Sequence, residues 1–166
     1  MDKKGGFITE EMAYARMARV CSQKECAPFD IARKLRAMNL SEPLAGKIID
    51  RLKKEKYLDE KRFIRSYIHD KLHFNKWGKK KIILFLKQKQ LPPELIEEVF
   101  SELPGESFGE SLQPVLEKKW KSIKGESDYE KRGKLIRYTL GRGFSMDEVM
   151  ACMQKMKIGE SFDETE

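Results

Sequence analysis

Apolar residues along this chain recur three and four positions apart, with Lys, Glu, Arg and Gln between them, and almost nowhere alternate with polar ones. β-Branched residues are scattered and no run reads as a strand, so the pattern predicts helices throughout. One arrangement occurs three times: an apolar helix, a short turn ending in an apolar residue, a polar or Pro cap, and a second apolar helix. It is IARKLRAMNLSEPLAGKIIDRL from Ile31, IILFLKQKQLPPELIEEVFSEL from Ile82 and LIRYTLGRGFSMDEVMACMQKM from Leu135. Anchored on Leu40, Leu91 and Phe144, the copies are 51 and 53 residues apart. Nine positions before each anchor stand Ile31, Ile82 and Leu135; eight after stand Ile48, Val99 and Cys152; twelve after stand Leu52, Leu103 and Met156. Offsets of four, eight and twelve place one apolar stripe on each following helix.

Each helix pair needs a further partner face, and an amphipathic segment precedes each: residues 9 to about 23, 59 to about 73, and about 106 to 122. The expectation is an all-α fold, an elongated right-handed-type array of three tandem three-helix repeats. The expected units are 9–57, 58–104 and 105–157, with a flexible N-terminus at 1–8 and an acidic flexible tail at 158–166. Ser41 and Ser145 read as helix caps, with Glu42 and Pro43 behind the first and Asp147 and Glu148 behind the second; Pro92 and Pro93 pre-set the turn before Glu94. Asn39, Gln90 and Gly143 precede the anchors, where a left-handed residue commonly ends a helix; Gln90 suits that place least well. Residues 104–109 (PGESFG) read as a linker and 124–127 (KGES) as an intra-unit loop.

Charge changes the picture. Thirty-four Lys and Arg against 27 Asp and Glu leave a formal charge of +7. It is spread as +5 over residues 1–58, +3 over 59–104, +2 over 105–156 and −3 over 157–166. Residues 71–93 carry seven lysines and no carboxylate. Such a field attracts polyanions or acidic protein surfaces. In the helix expected from 77 to 89, Ile82, Ile83 and Leu86 share the core face, while Leu84 and Phe85 point among lysines. Those two either meet an adjoining repeat or form an exposed apolar pair in a basic patch. Trp77 is open to the same two readings, core residue or stacking platform. Further basic clusters are Arg51, Lys53, Lys54 and Lys56; Lys118, Lys119 and Lys121 around Trp120; and Arg132, Lys134, Arg137 and Arg142. Repeated along stacked units, they outline a ridge that suits an extended polymeric partner.

Catalytic signals are weak. His69 and His73 stand four apart, but no HExxH pattern and no third ligand accompany them, so a surface pair is expected. There is no P-loop, GxSxG elbow or GxGxxG run. Cys21, Cys26 and Cys152 form no CxxC pair and read as reduced helix residues. No enzyme, metal or cofactor is expected. No apolar run reaches the roughly 18 residues of a membrane span and the first residues lack a secretory leader, so a cytoplasmic protein is expected; a monomer is expected as well.

Residues 57–91 carry Tyr57-Leu58-Asp59, Phe63, Arg65-Ser66-Tyr67, Trp77-Gly78 and the pattern from Lys81-Ile82 to Leu86. With GRGFSMDEV from Gly141, these resemble the RecX family of bacterial recombination regulators, over roughly residues 9–156. Asn39 and Gln90 depart from the glycine common in those turns, and Thr139 takes a usually apolar place. The resemblance implies a negative regulator that lies in the groove of the RecA filament on DNA and restrains its ATPase, strand-exchange and coprotease activities. It also implies a setting in DNA repair, homologous recombination and the SOS response, with single- or double-stranded DNA as a second partner. The alternative from charge alone is a general nucleic-acid-binding helical module. Expected contact residues in the middle unit are Arg65, Lys76, Trp77, Lys79, Lys80, Lys81, Phe85, Lys87 and Lys89. Arg51, Lys53, Lys54, Arg137 and Arg142 are expected to extend the surface into the outer units.

Overall fold

The structure is a computed structural model that describes residues 7–103 and 106–156. Residues 1–6 of the expected flexible end at 1–8, and the acidic tail, lie outside those residues. Nine helices and no strand occur among the described residues: α1 (Glu10–Gln23), α2 (Pro28–Ala37), α3 (Glu42–Lys54), α4 (Glu60–His73), α5 (Lys79–Gln88), α6 (Pro93–Ser101), α7 (Glu106–Ser122), α8 (Asp128–Gly141) and α9 (Met146–Lys155). They pack in consecutive triplets, each with its own core. The fold is therefore an array of three-helix repeats.

The shared apolar pattern is what fills the cores. Ile31, Ile82 and Leu135 are fully buried, as are Ile48, Val99 and Leu52; Leu91 and Phe144 are buried at the turns. Asn39, Gln90 and Gly143 all take positive φ, at 63°, 58° and 99°. In the first and third copies the anchor amide reaches back five residues, Leu40 to the Leu35 carbonyl and Phe144 to that of Thr139, both at 3.4 Å. That closes the last turn in the Schellman manner. Lys56 and Lys76 also adopt positive φ, at the ends of α3 and α4, which the pattern did not foretell. Ser41 accepts from the Leu44 amide, and Ser145 forms a reciprocal capping box with Glu148. Thr139 tolerates its apolar place because its hydroxyl donates to the Leu135 carbonyl at 2.7 Å, so the buried oxygen has a partner within its own helix.

Three local expectations are corrected. α7 runs Glu106–Ser122, as expected of the segment before the third pair, but it therefore takes up most of the stretch also read as a linker, and it continues through Pro114. α5 starts at Lys79 instead of Trp77 because the chain before it turns at Lys76. Cys26 sits in the turn between α1 and α2 and not in a helix, although all three cysteines are free and buried.

The repeats meet through specific contacts. Ala27 is buried in the core of the second repeat, and Asp30 and Glu25 of the first pair with Lys89 (2.7 Å) and Arg62 (2.6 Å) of the second. Between the second and third, Phe108 of α7 joins the core of α4–α6 and the Ser111 hydroxyl donates to the Leu72 carbonyl. Gly78 and Gly143 press backbone to backbone: a Cβ on Gly78 would collide with the Gly143 carbonyl group and the Phe144 nitrogen. Only glycine permits that approach.

Candidate partner-binding surface

α5 opens with Lys79, Lys80 and Lys81 and has no acidic residue in its first turn and no side-chain cap. Cations there oppose the helix dipole, each at a cost of about 0.3–1 kcal/mol. The third repeat supplies what the sequence of α5 lacks. The Gly78 amide donates to the Arg142 carbonyl at 2.7 Å and the Lys80 amide to the Gly143 carbonyl at 3.1 Å. Two otherwise orphaned donors at the start of α5 are thus satisfied by carbonyls from the turn after α8.

The lysines around this junction divide into two groups. Lys71 and Lys81 lie over the ring of Trp77 at 4.8 and 4.5 Å, and Phe85 packs against the same ring with centroids 5.0 Å apart. Trp77 is half-buried against the core of the second repeat, so the stacking-platform reading gives way to a structural one, with its ring already in use. Phe85 follows it inward, and of the apolar pair only Leu84 is left exposed, at 54%. Lys79 lies 3.8 Å from Glu97 and over Phe100. Lys80 and Lys87 are exposed, at positions i and i+7 around Leu84, and neither pairs with a carboxylate among the described residues. The exposed ridge of α5 is therefore Lys80, Leu84 and Lys87.

Several other expected contact residues are used within the chain. Lys89 is held by Asp30, so it joins two repeats. Arg51 pairs with Glu11 and lies 3.7 Å over the Tyr14 ring. Hydrogen bonding from Arg51 holds the Glu11 carboxyl below its ordinary range and raises the guanidinium in turn. Arg65 shares Glu102 with Lys61, and Lys61 lowers the Glu102 pKa most. Arg142 donates to the main-chain carbonyls of Lys76, at 3.1 Å, and of Asn75, which makes it a clamp between repeats. Lys76 is half-buried at that clamp. Lys53, Lys54 and Arg137 remain exposed and unpaired among the described residues, on α3 and α8, away from the α5 ridge in sequence.

Two features escaped sequence reading. Phe74 is 76% exposed just after α4, and Tyr129 is 81% exposed at the start of α8 beside Arg132 and Arg137. α2 carries Asp30, Arg33, Lys34 and Ala37 at one helical spacing, a signal that was legible but shared with any solvated face. The Cys21 and Cys152 thiols are held protonated near neutrality: burial, with Cys26 beside it, pushes Cys21 up to about 12, and burial raises Cys152. The rings of His69 and His73 lie 4.5 Å apart, and no cluster of three metal-ligating side chains exists among the described residues. No described helix is long and apolar enough to cross a membrane.

Comparison with known proteins agrees with the repeat architecture. Residues 59–99 match the model of the second three-helix domain of RecX, and residues 109–153 that of the third. The regulatory protein RecX of Clostridium acetobutylicum is 34% identical over 124 residues, 72% of this chain and 57% of that protein. That of Clostridium botulinum strain Eklund 17B is 30% identical over 132 residues, covering 78% and 61%. The chain thus spans little more than half the length of these relatives. The crystal structure of RecX from Lactobacillus salivarius superposes with a TM-score of 0.78 at 21% identity, over 89% of this chain and 96% of that one, and so shares the fold. With the two domain matches together spanning about half of its residues, in the order the helices demand, the chain belongs to the RecX family of regulatory proteins.

Proposed function

We propose that this protein is a negative regulator of the RecA recombinase that lies in the groove of the RecA–DNA filament and restrains ATP hydrolysis, strand exchange and coprotease activity. The observation that carries the reading is the α5 ridge. Three lysines stand at the unfavourable end of a helix whose N-terminus is capped by another repeat, and Lys80 and Lys87 flank an exposed Leu84. A cationic rim around an apolar side chain is a common form of protein contact. The proposed units, 9–57, 58–104 and 105–157, would let one chain touch successive subunits of a helical partner and oppose their rearrangement. In this reading ATP hydrolysis belongs to the recombinase and not to this chain.

The test is DNA-stimulated ATP hydrolysis by RecA with and without stoichiometric protein. Inhibition is expected, and Lys80→Glu with Lys87→Glu should raise the concentration needed at least tenfold. An acidic residue at position 80 favours the helix dipole, so lost inhibition with intact helical circular dichroism cannot be ascribed to unfolding. Undiminished hydrolysis in the presence of the unaltered protein would end the reading. A second reading, general nucleic-acid binding, is favoured by the seven lysines without a carboxylate at 71–93. It requires DNA affinity that falls with salt, with a log–log slope of about −0.9 for each phosphate neutralised, and no effect on RecA.

A further inference from the structure

The first and second repeats do not close completely on each other. Between α2, the turn before it and α4 lies a cavity of about 580 Å³, a size typical of small-ligand sites, roughly 300–1,000 Å³. Its lining brings together three chemistries. Lys24, Arg33 and Lys34 are exposed on its rim, and none pairs with a carboxylate among the described residues. Phe63 and Tyr67 of α4 contribute aromatic surface, their ring centroids 5.7 Å apart. The third element is an incomplete hydrogen bond. Glu25 Oε2 accepts from Arg62 Nε at 2.6 Å, whereas Oε1 is buried with no partner. A buried carboxylate oxygen ordinarily finds a donor. The other acid in the lining, Asp30, is already neutralised by Lys89.

We propose that this cleft between repeats binds a nucleoside phosphate whose base carries an exocyclic amino group. The base lies against Tyr67, the phosphate meets the rim of Lys24, Arg33 and Lys34, and a turn of the part-exposed Glu25 side chain brings Oε1 into the cleft to accept from the amino group. Each part of the ligand answers a separate feature: an aromatic face, a missing donor and unpaired cations. Neither the α5 ridge nor any RecA contact enters the argument.

Calorimetric titration of the protein alone, without recombinase, separates this proposal from the preceding one. At low salt AMP should bind at least fivefold more tightly than IMP, which lacks the amino group, and than inorganic phosphate. Glu25→Gln should bring the AMP-to-IMP preference below twofold, because the amide can donate to the inosine carbonyl. Arg33→Ala with Lys34→Ala should weaken AMP at least tenfold with unchanged far-ultraviolet circular dichroism, both residues being exposed. A free nucleotide and the end of a single strand share this chemistry, and hexadeoxyadenylate distinguishes them. Tighter binding than AMP with the same Glu25 dependence assigns the site to a strand end, and equal or weaker binding to the free nucleotide. Equal affinities for AMP, IMP and phosphate, or no heat with millimolar AMP, overturn the proposal.

Discussion

Glycine in this chain has opposite meanings at different positions. Gly78 lies where a Cβ would strike the Gly143 backbone, whereas nothing stands within 4 Å of a Cβ on Gly46, in the middle of α3. Gly78→Ala should therefore lower unfolding free energy by about 1–3 kcal/mol through overpacking. Gly46→Ala should raise it by about 0.5–1 kcal/mol through helix propensity. Urea denaturation of both variants checks the pair, and equal signs would refute the close approach of repeats two and three. Gln90 offers a related test, since it holds a φ of 58° that glycine adopts without a side-chain penalty. Gln90→Gly should stabilise by about 1 kcal/mol in the same assay.

At the scale of elements, α4 and α6 are tied by Lys61 and Arg65, which share the Glu102 carboxylate, with Lys61 also reaching Glu98. Hydrogen bonding from Lys61 is the largest influence holding Glu102 below its ordinary value of 4.5. A carboxyl with a depressed folded-state pKa stabilises the fold above its unfolded pKa, and that stabilisation fades as pH falls through the folded value. Glu102→Gln should accordingly lower the melting temperature at pH 7. The difference should shrink below pH 4 and vanish as the carboxyl protonates. Because these groups are exposed, added salt should also shrink it. A difference that persisted at pH 2 would place the effect in packing. α5 shows how an element depends on its neighbours: its first donors are satisfied by the turn after α8, which Arg142 clamps. Arg142→Ala should speed hydrogen exchange at the Gly78 and Lys80 amides more than at Leu86, deeper in the same helix.

Across the molecule, a formal charge of +7 becomes two kinds of cation. Some, such as Lys89, Arg51, Arg65 and Arg142, hold repeats or helices together. Others, such as Lys80 and Lys87, face outward without an acid among the described residues. The first kind carries stability and the second does not, so Lys89→Ala should loosen the first repeat from the second and lower thermal stability, while Lys87→Ala should leave it within about 0.5 kcal/mol. Thermal unfolding of the two variants decides between these roles.

The all-helical class, the threefold repeat and its turns were determined by sequence alone. Apolar spacing needs only local periodicity to be read, and the left-handed place before Leu40, Leu91 and Phe144 follows from the length of the apolar stripe, even with Gln at one of them. The family resemblance was also legible, because residues 57–91 keep the core and turn positions together. Which lysines stay free was not legible. A charge pattern does not reveal that Asp30 lies 59 residues from its partner Lys89, or that Trp77 is covered by Lys71, Lys81 and Phe85. The capping of α5 by carbonyls from beyond α8, and the unpaired Glu25 oxygen in the cleft, likewise exist only once the repeats are packed. Periodicity is a property of neighbours in the chain, whereas pairing and accessibility are properties of neighbours in space.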